Sequence, residues 1–241
     1  TAIDLGPRPA APAELYDNER PVGPGTAAAD IPRASVYLAT KILHPRRTDD
    51  ATRASIRAAV EGCLDRLDVD AVDLMYVHWP ADYDLELVHG TLAALRDDGL
   101  LGGVGVSNYE PRHLETALNV DPDIVANQVE LHPLLPQVEL RKRCADRGVD
   151  VVAYAPLAHE SVFDIPELET VAERHGVSVP RVTLAWLREK GVAAVPKATS
   201  EEHLRDNMAA REIELSDGDV ATIDGIERTE RFFDPDYAPE W

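Results

Sequence analysis

The chain has 241 residues, 44% of them hydrophobic, enough to bury a large core in one α/β barrel or in two small domains. Its 44 Asp and Glu against 24 Lys and Arg give a net charge of −20, which counts against nucleic acid as a partner. No apolar run reaches the ~18–20 residues of a membrane span, no basic region followed by an apolar one opens the chain, and Cys63 and Cys144 are isolated, so the expectation is a reducing cytoplasm, no membrane, no disulfide framework and no bound metal.

Lys stands only at 41, 142, 190 and 197, so Arg carries most of the positive charge. That balance suits a cytosol of high salt, where self-repulsion is screened, and points to a halophilic protein; an ordinary acidic protein is the alternative.

The first stretch, "GPRPAAPAELYDNE" (6–19), places Pro7, Pro9 and Pro12 ahead of Tyr16. Proline donates nothing to a sheet and restricts the residue before it, so a central strand is not expected here. "RPVGPGTAAADIP" (20–32) reads as a broken helix for the same reason. "SVYLATKI" (35–42) is a buried strand. A helix follows at about 50–67, capped by Asp49 or Asp50, with Ile56, Val60, Cys63, Leu64 and Leu67 on one face of a 3.6 period.

The pattern then repeats. "AVDLMYVHW" is a strand, "DLELVHGTLAALRDDG" a helix closing on Gly99, "GGVGVSN" a strand and "EPRHLETAL" a helix. "DIVANQVEL" is a strand and "PQVELRKRCADRG" a helix closing on Gly148. "VDVVAYAPL", helices at about 166–175 and 180–190, and the strand "GVAAVPKA" complete the series. Apolar strands alternating with helices make a parallel sheet, and the lack of a GxGxxG after the first strand argues for a (β/α)8 barrel over a doubly wound dinucleotide domain. Polar residues end successive strands: Lys41, His78, Ser107 with Asn108, Gln128 with Glu130, Tyr154 and Lys197. In a barrel those ends meet at the mouth where chemistry is done.

As chemical groups, a tyrosine whose acidity is raised by a nearby lysine ammonium, together with a histidine, suit proton delivery to a carbonyl reduced by hydride. Taken singly, each has a plainer reading: a solvated lysine, a packed histidine beside Trp79, an ordinary tyrosine.

In their order and spacing, "YLATK", "VDLMYVHWP", "GVGVSNY", "NQVELHP", "VAYAPL" and "VPKATSEEHLRDN" resemble the aldo-keto reductases, most of all the prokaryotic branch typified by 2,5-diketogluconate reductases, over about residues 14–226. The resemblance implies a single α/β TIM-barrel domain over 1–241, a C-terminal tail at 227–241 over the barrel mouth, and an NADP(H)-dependent reductase of a small carbonyl substrate, with NAD(H) as a possible cofactor. It implies catalysis by Tyr16, Lys41 and His78. Ser107, Asn108 and Gln128 match residues that hold the nicotinamide carboxamide, Tyr154 the ring that stacks on it, and Leu157 the loop over the pyrophosphate. Lys197, Thr199 and Ser200 match the 2′-phosphate end and Asn207 the adenine, while His203 stands where many members carry Arg. Trp79 and Trp241 are the expected substrate contacts.

The chain departs from the family pattern at its start. Ala11 stands where the family has an aspartate paired with the catalytic lysine, the first strand is missing and the second is degraded. Two functions follow: a carbonyl reductase of weakened activity, or a redox-inactive homologue that binds nucleotide or a partner without turnover. A monomer or weak homo-oligomer is expected.

Overall fold

A computed structural model describes residues 9–27, 32–44, 51–239 and 241. They form two compact units, one running to Asn127 and including Asp236–Trp241, the other spanning Gln128–Pro235.

In the first unit, β1 (Pro9–Ala10), β2 (Tyr37–Ile42), β3 (Leu74–Val77) and β4 (Val104–Ser107) lie side by side, parallel and in chain order. The helices are α1 (Glu19–Ala27), α2 (Arg53–Leu67), α3 (Leu85–Asp97) and α4 (Pro111–Val120). Among the described residues the β1 ladder pairs Pro9 with Tyr37 and Ala10 with Leu38, and it stops short of Pro12, which has no N–H to donate.

The apolar stripe of α2 is buried at Ile56, Val60, Cys63, Leu64 and Leu67. Each such aliphatic side chain contributes about 1.5–3 kcal/mol. The cap differs from the expectation: Thr52 accepts from the Ser55 amide and Ser55 Oγ accepts from the Thr52 amide, while Asp49 and Asp50 lie outside the described residues.

The segment read as a broken helix is α1. Pro21 takes the third helical position, where an N–H would find no carbonyl. Gly23 lets the helix come against the end of α2, because a Cβ there would stand 2.1 Å from the Leu67 carbonyl oxygen. Glu19, 1% exposed, accepts from Thr40 Oγ1 at 2.5 Å and from Arg66 Nε at 2.6 Å, fastening α1 to β2 and α2. Tertiary contacts thus override poor local propensity.

β5 (Ile124–Glu130) ends the first unit and opens the second. The second contains α5 (Val138–Asp146), β6 (Asp150–Tyr154), α6 (Pro166–His175), α7 (Val179–Glu189), β7 (Ala193–Ala194), α8 (Glu201–Ala209) and α9 (Asp217–Asp224). β6 and β7 pair in parallel through Val152–Ala193 and Ala153–Ala194. Of the strand expected in "GVAAVPKA", only those two alanines pair.

Helices α7 and α9 are tied by Trp186 Nε1, which donates to Asp224 Oδ1 at 2.9 Å. Asp219 joins α9 to α6 through Arg174 and His175. The fold is α/β with parallel strands each followed by helix, the (β/α)8 class, with seven strands formed among the described residues. Among the described residues no helix is long and apolar enough to cross a membrane.

Candidate active site

Strand register places the first group of residues. Lys41 lies opposite Tyr76 in the β2–β3 ladder, and the His78 amide continues it by donating to the Ile42 carbonyl at 2.8 Å. Val77 lies opposite Val106, so Ser107 and Asn108 follow at the adjacent strand end. Asn108 adopts φ 62°, a left-handed conformation that Asn tolerates, and its Nδ2 donates to the His78 carbonyl at 3.1 Å and to Ser107 Oγ at 3.2 Å.

Tyr16 reaches the same place without a strand. It closes a 3-10 turn, Glu14–Tyr16, in which its amide donates to the Ala13 carbonyl at 3.0 Å, and Asn18 Oδ1 accepts from the Ala13 amide at 3.2 Å. A turn of this kind tolerates the Pro- and Ala-rich approach that a central strand would not. Tyr16 Oη stands 3.5 Å from His78 Nε2, with the rings perpendicular and 5.5 Å apart. Lys41 Nζ lies 5.4 Å from the Tyr16 ring centre and 5.9 Å from that of Tyr76.

The electrostatics of the three are set by burial. Lys41, 3% exposed, has its pKa pushed down to about 8 by desolvation, and among the described residues no carboxylate pairs with it. Ala11 is exposed. His78 is pushed down to about 2, first by burial and then by the charges of Lys41 and His44, so it is neutral near neutral pH. Its Nδ1 is buried with no hydrogen-bond partner among the described residues. The Tyr16 phenol is raised, first by burial around the hydroxyl and then by Tyr237. The expected lowering by Lys41 does not prevail, and the phenol is held in its protonated form.

Two neighbours were not foreseen from sequence. His44 packs its ring 4.8 Å from that of His78, and its Nε2 lies 3.3 Å from Tyr237 Oη. Tyr237 in turn packs 5.3 Å from Trp79, which lies 6.4 Å from Trp241. The two expected substrate residues therefore meet beside His78's neighbours. Only the expectation of a C-terminal tail at 227–241 over the barrel mouth hinted at Tyr237, and nothing in the pattern after Lys41 marked His44.

The second group belongs to the second unit. Gln128 is buried at the end of β5 and Tyr154 half-buried at the end of β6. A cavity of about 490 Å³ is lined by Leu157, His159, Lys197, His203, Asp206 and Asn207, among others. Thr199 does not line it, and Ser200 instead caps α8, accepting from the His203 amide at 3.1 Å. Asp206 is occupied by Arg181 Nε at 2.6 Å and Ser178 Oγ at 2.5 Å, and Arg205 by Glu201 at 2.6 Å. The loop along this cavity holds four non-glycine residues at positive φ: Ala155 (46°), Ala158 (48°), His159 (49°) and Glu160 (77°). Such conformations cost about 1 kcal/mol or more each and persist only when the surroundings fix them.

The Aldo/keto reductase family model matches residues 1–228 of the chain. An aldo-keto reductase of Mycobacterium sp. (strain JLS) is 36% identical, over 95% of this chain and 83% of that protein. The glyoxal reductase of Bacillus subtilis (strain 168) is 34% identical, over 95% of this chain and 82% of that protein. A solved structure provisionally named 2,5-diketo-D-gluconic acid reductase B is 31% identical and superposes with a TM-score of 0.94, over 100% of this chain and 86% of that one.

Proposed function

Because the chain belongs to the aldo/keto reductase family, we propose that it is an NADP(H)-dependent reductase that converts a small aldehyde or ketone to an alcohol, with Tyr16 as proton donor. The observation that carries this reading is the meeting of Tyr16, His78 and Lys41. Tyr16 Oη and His78 Nε2 are 3.5 Å apart, so both can reach a single oxygen atom set to one side of the line that joins them, about 2.8 Å from each.

A bound nicotinamide cofactor supplies the hydride. Tyr16, 51% exposed as a residue but with its phenol raised above the usual range by the surroundings of its hydroxyl, delivers the proton to the carbonyl oxygen as negative charge gathers there. His78, neutral, donates from Nε2 to that oxygen and orients the carbonyl without competing for the proton. Lys41 stabilises the phenolate left on Tyr16 while its ammonium persists, which holds below a pH of about 8. Trp79, Tyr237 and Trp241 give the substrate an aromatic wall.

The cavity beside Leu157 suits the phosphate-bearing end of the cofactor. It offers the cation of Lys197, the imidazole of His203 and the amide of Asn207; of its two lining acids, Asp206 is paired with Arg181, and Glu160 stands on the loop at the cavity's side. Lys197 supports the choice of NADP(H), and His203 in place of arginine weakens that preference, leaving NAD(H) a stronger competitor than it would be beside arginine. Ser107, Asn108, Gln128 and Tyr154 take the nicotinamide in this reading. A cytoplasm of high salt suits the acidic excess.

The test is titration of the purified protein with NADPH in high salt, followed by an assay with a reactive aldehyde. Binding with turnover supports a reductase. Binding without turnover supports a nucleotide-binding homologue that has lost the reaction.

A further inference from the structure

Glu130 ends β5 and is 1% exposed, yet no step of the reaction uses it. Its Oε1 accepts from His132 Nε2 at 3.0 Å and from the Phe232 amide at 2.7 Å, and its Oε2 accepts from the Phe233 amide at 3.0 Å. Burial alone favours the neutral acid, but the bonds from His132, Phe232 and Phe233 outweigh it and hold the carboxyl below its usual range. A third amide of the same segment, that of Glu230, donates to the Leu134 carbonyl at 2.9 Å. A buried carboxylate is thus spent on the main chain of a segment 102 and 103 residues further on.

What that segment carries explains the use of a charge where apolar packing would be less costly. The Phe233 ring meets Tyr154 edge-on at 5.2 Å and His159 at 5.0 Å. Phe232 meets His159 at 5.4 Å and His132 at 5.5 Å. His159 is one of the positive-φ residues of the loop along the cavity. Glu130, the tail, Tyr154 and that loop therefore form one connected set within the second unit.

We propose that Glu130 is a positioning residue for cofactor binding: by holding the amides of Phe232 and Phe233 it fixes the tail against Tyr154 and against His159 of the 155–160 loop. The proposal rests on the reading that Tyr154 and the cavity beside Leu157 receive the nicotinamide cofactor. It assigns the tail to cofactor affinity, apart from any part it plays toward substrate.

Three proteins decide it, the parent, Glu130→Gln and Phe233→Ala, each measured for NADPH affinity by fluorescence and for amide hydrogen exchange at residues 230–233. Glu130→Gln keeps the shape but loses the charge and turns a donor toward an amide, so exchange at 232 and 233 should quicken and the NADPH Kd should rise by about tenfold or more. Phe233→Ala removes an exposed ring while keeping both amide bonds, so it tests the contact on Tyr154 even where Glu130→Gln does not fold. It should raise the Kd by roughly threefold or more, with exchange at Phe232 unchanged. Quickened exchange with unchanged Kd, unchanged exchange in Glu130→Gln, or an unchanged Kd in Phe233→Ala each overturns the role given to Glu130. A parent that binds neither NADPH nor NADH overturns the functional reading instead.

Discussion

Lys41 Nζ stands 5.4 Å from the centre of the Tyr16 ring, with no carboxylate among the described residues to hold its charge. Its pKa of about 8 lies below the ordinary 10.5, so its ammonium is lost within an accessible range of pH. The rate of carbonyl reduction should fall as pH rises through about 8, and in Lys41→Met that fall should vanish along with most of the activity. A pH–rate profile of the two proteins checks this.

The same shift bears on stability. Between about 8 and 10.5 the unfolded chain binds more protons at this lysine than the folded one, so stability rises with pH across that window and the full cost is present below it. Lys41→Met should therefore be more stable than the parent at neutral pH, by on the order of 3 kcal/mol. Denaturant unfolding at pH 7 measures the difference.

His78 behaves in the opposite range. Its folded pKa of about 2 lies under the ordinary 6.5, so the unfolded chain takes up the proton first and stability is lost as pH falls below 6.5. Between pH 6.5 and 4.5 the parent should lose about 2–3 kcal/mol more than His78→Asn. Equal losses in the two proteins would mean that His78 is not buried as described.

Much of the fold can be read from the residues because one physical rule governs it. The stripe Ile56, Val60, Cys63, Leu64, Leu67 follows helical period and is buried, and the runs at 74–77 and 104–106 carry no charge and are buried throughout because both faces are covered. The helix at Glu19–Ala27 could not be read, since its sequence opposes it and contacts distant in the chain sustain it, among them Gly23 against Leu67 and Glu19 against Thr40 and Arg66. α8 read as a motif rather than a helix because it buries no side chain and has no apolar face. The motifs "YLATK" and "VDLMYVHWP" mark Lys41 and His78 as neighbouring strand-end residues, while Tyr16 lies outside every such motif and was singled out only by its place in the family pattern. His44 and Tyr237 were not legible, since 193 residues separate two side chains that meet only in the folded chain.

On the cofactor side, Lys197→Met should weaken NADPH by roughly 10- to 100-fold, the worth of a charge-assisted bond to phosphate, and NADH far less. Arg205 is paired with Glu201 on the exposed face of α8, and His203→Arg should tighten NADPH; no gain would mean that Arg205 already fills that place. Dissociation constants for both cofactors decide between this and a role for Lys197 that ignores the 2′-phosphate.

Supplying the absent carboxylate is a further test. If position 11 faces Lys41 as the family alignment places it, Ala11→Asp should raise the pKa of Lys41 and speed reduction by roughly one to two orders of magnitude. An unchanged rate and an unmoved pH profile would show that the exposed Ala11 has left the position that the alignment gives it.

The proposed reaction turns on a proton given by Tyr16. Its most direct test is Tyr16→Phe, assayed for NADPH affinity and for single-turnover reduction of a reactive aldehyde beside the parent. Loss of a general acid should slow reduction by about 10²- to 10⁴-fold with NADPH affinity unchanged. A variant that reduces the aldehyde at the parent rate would contradict the assignment.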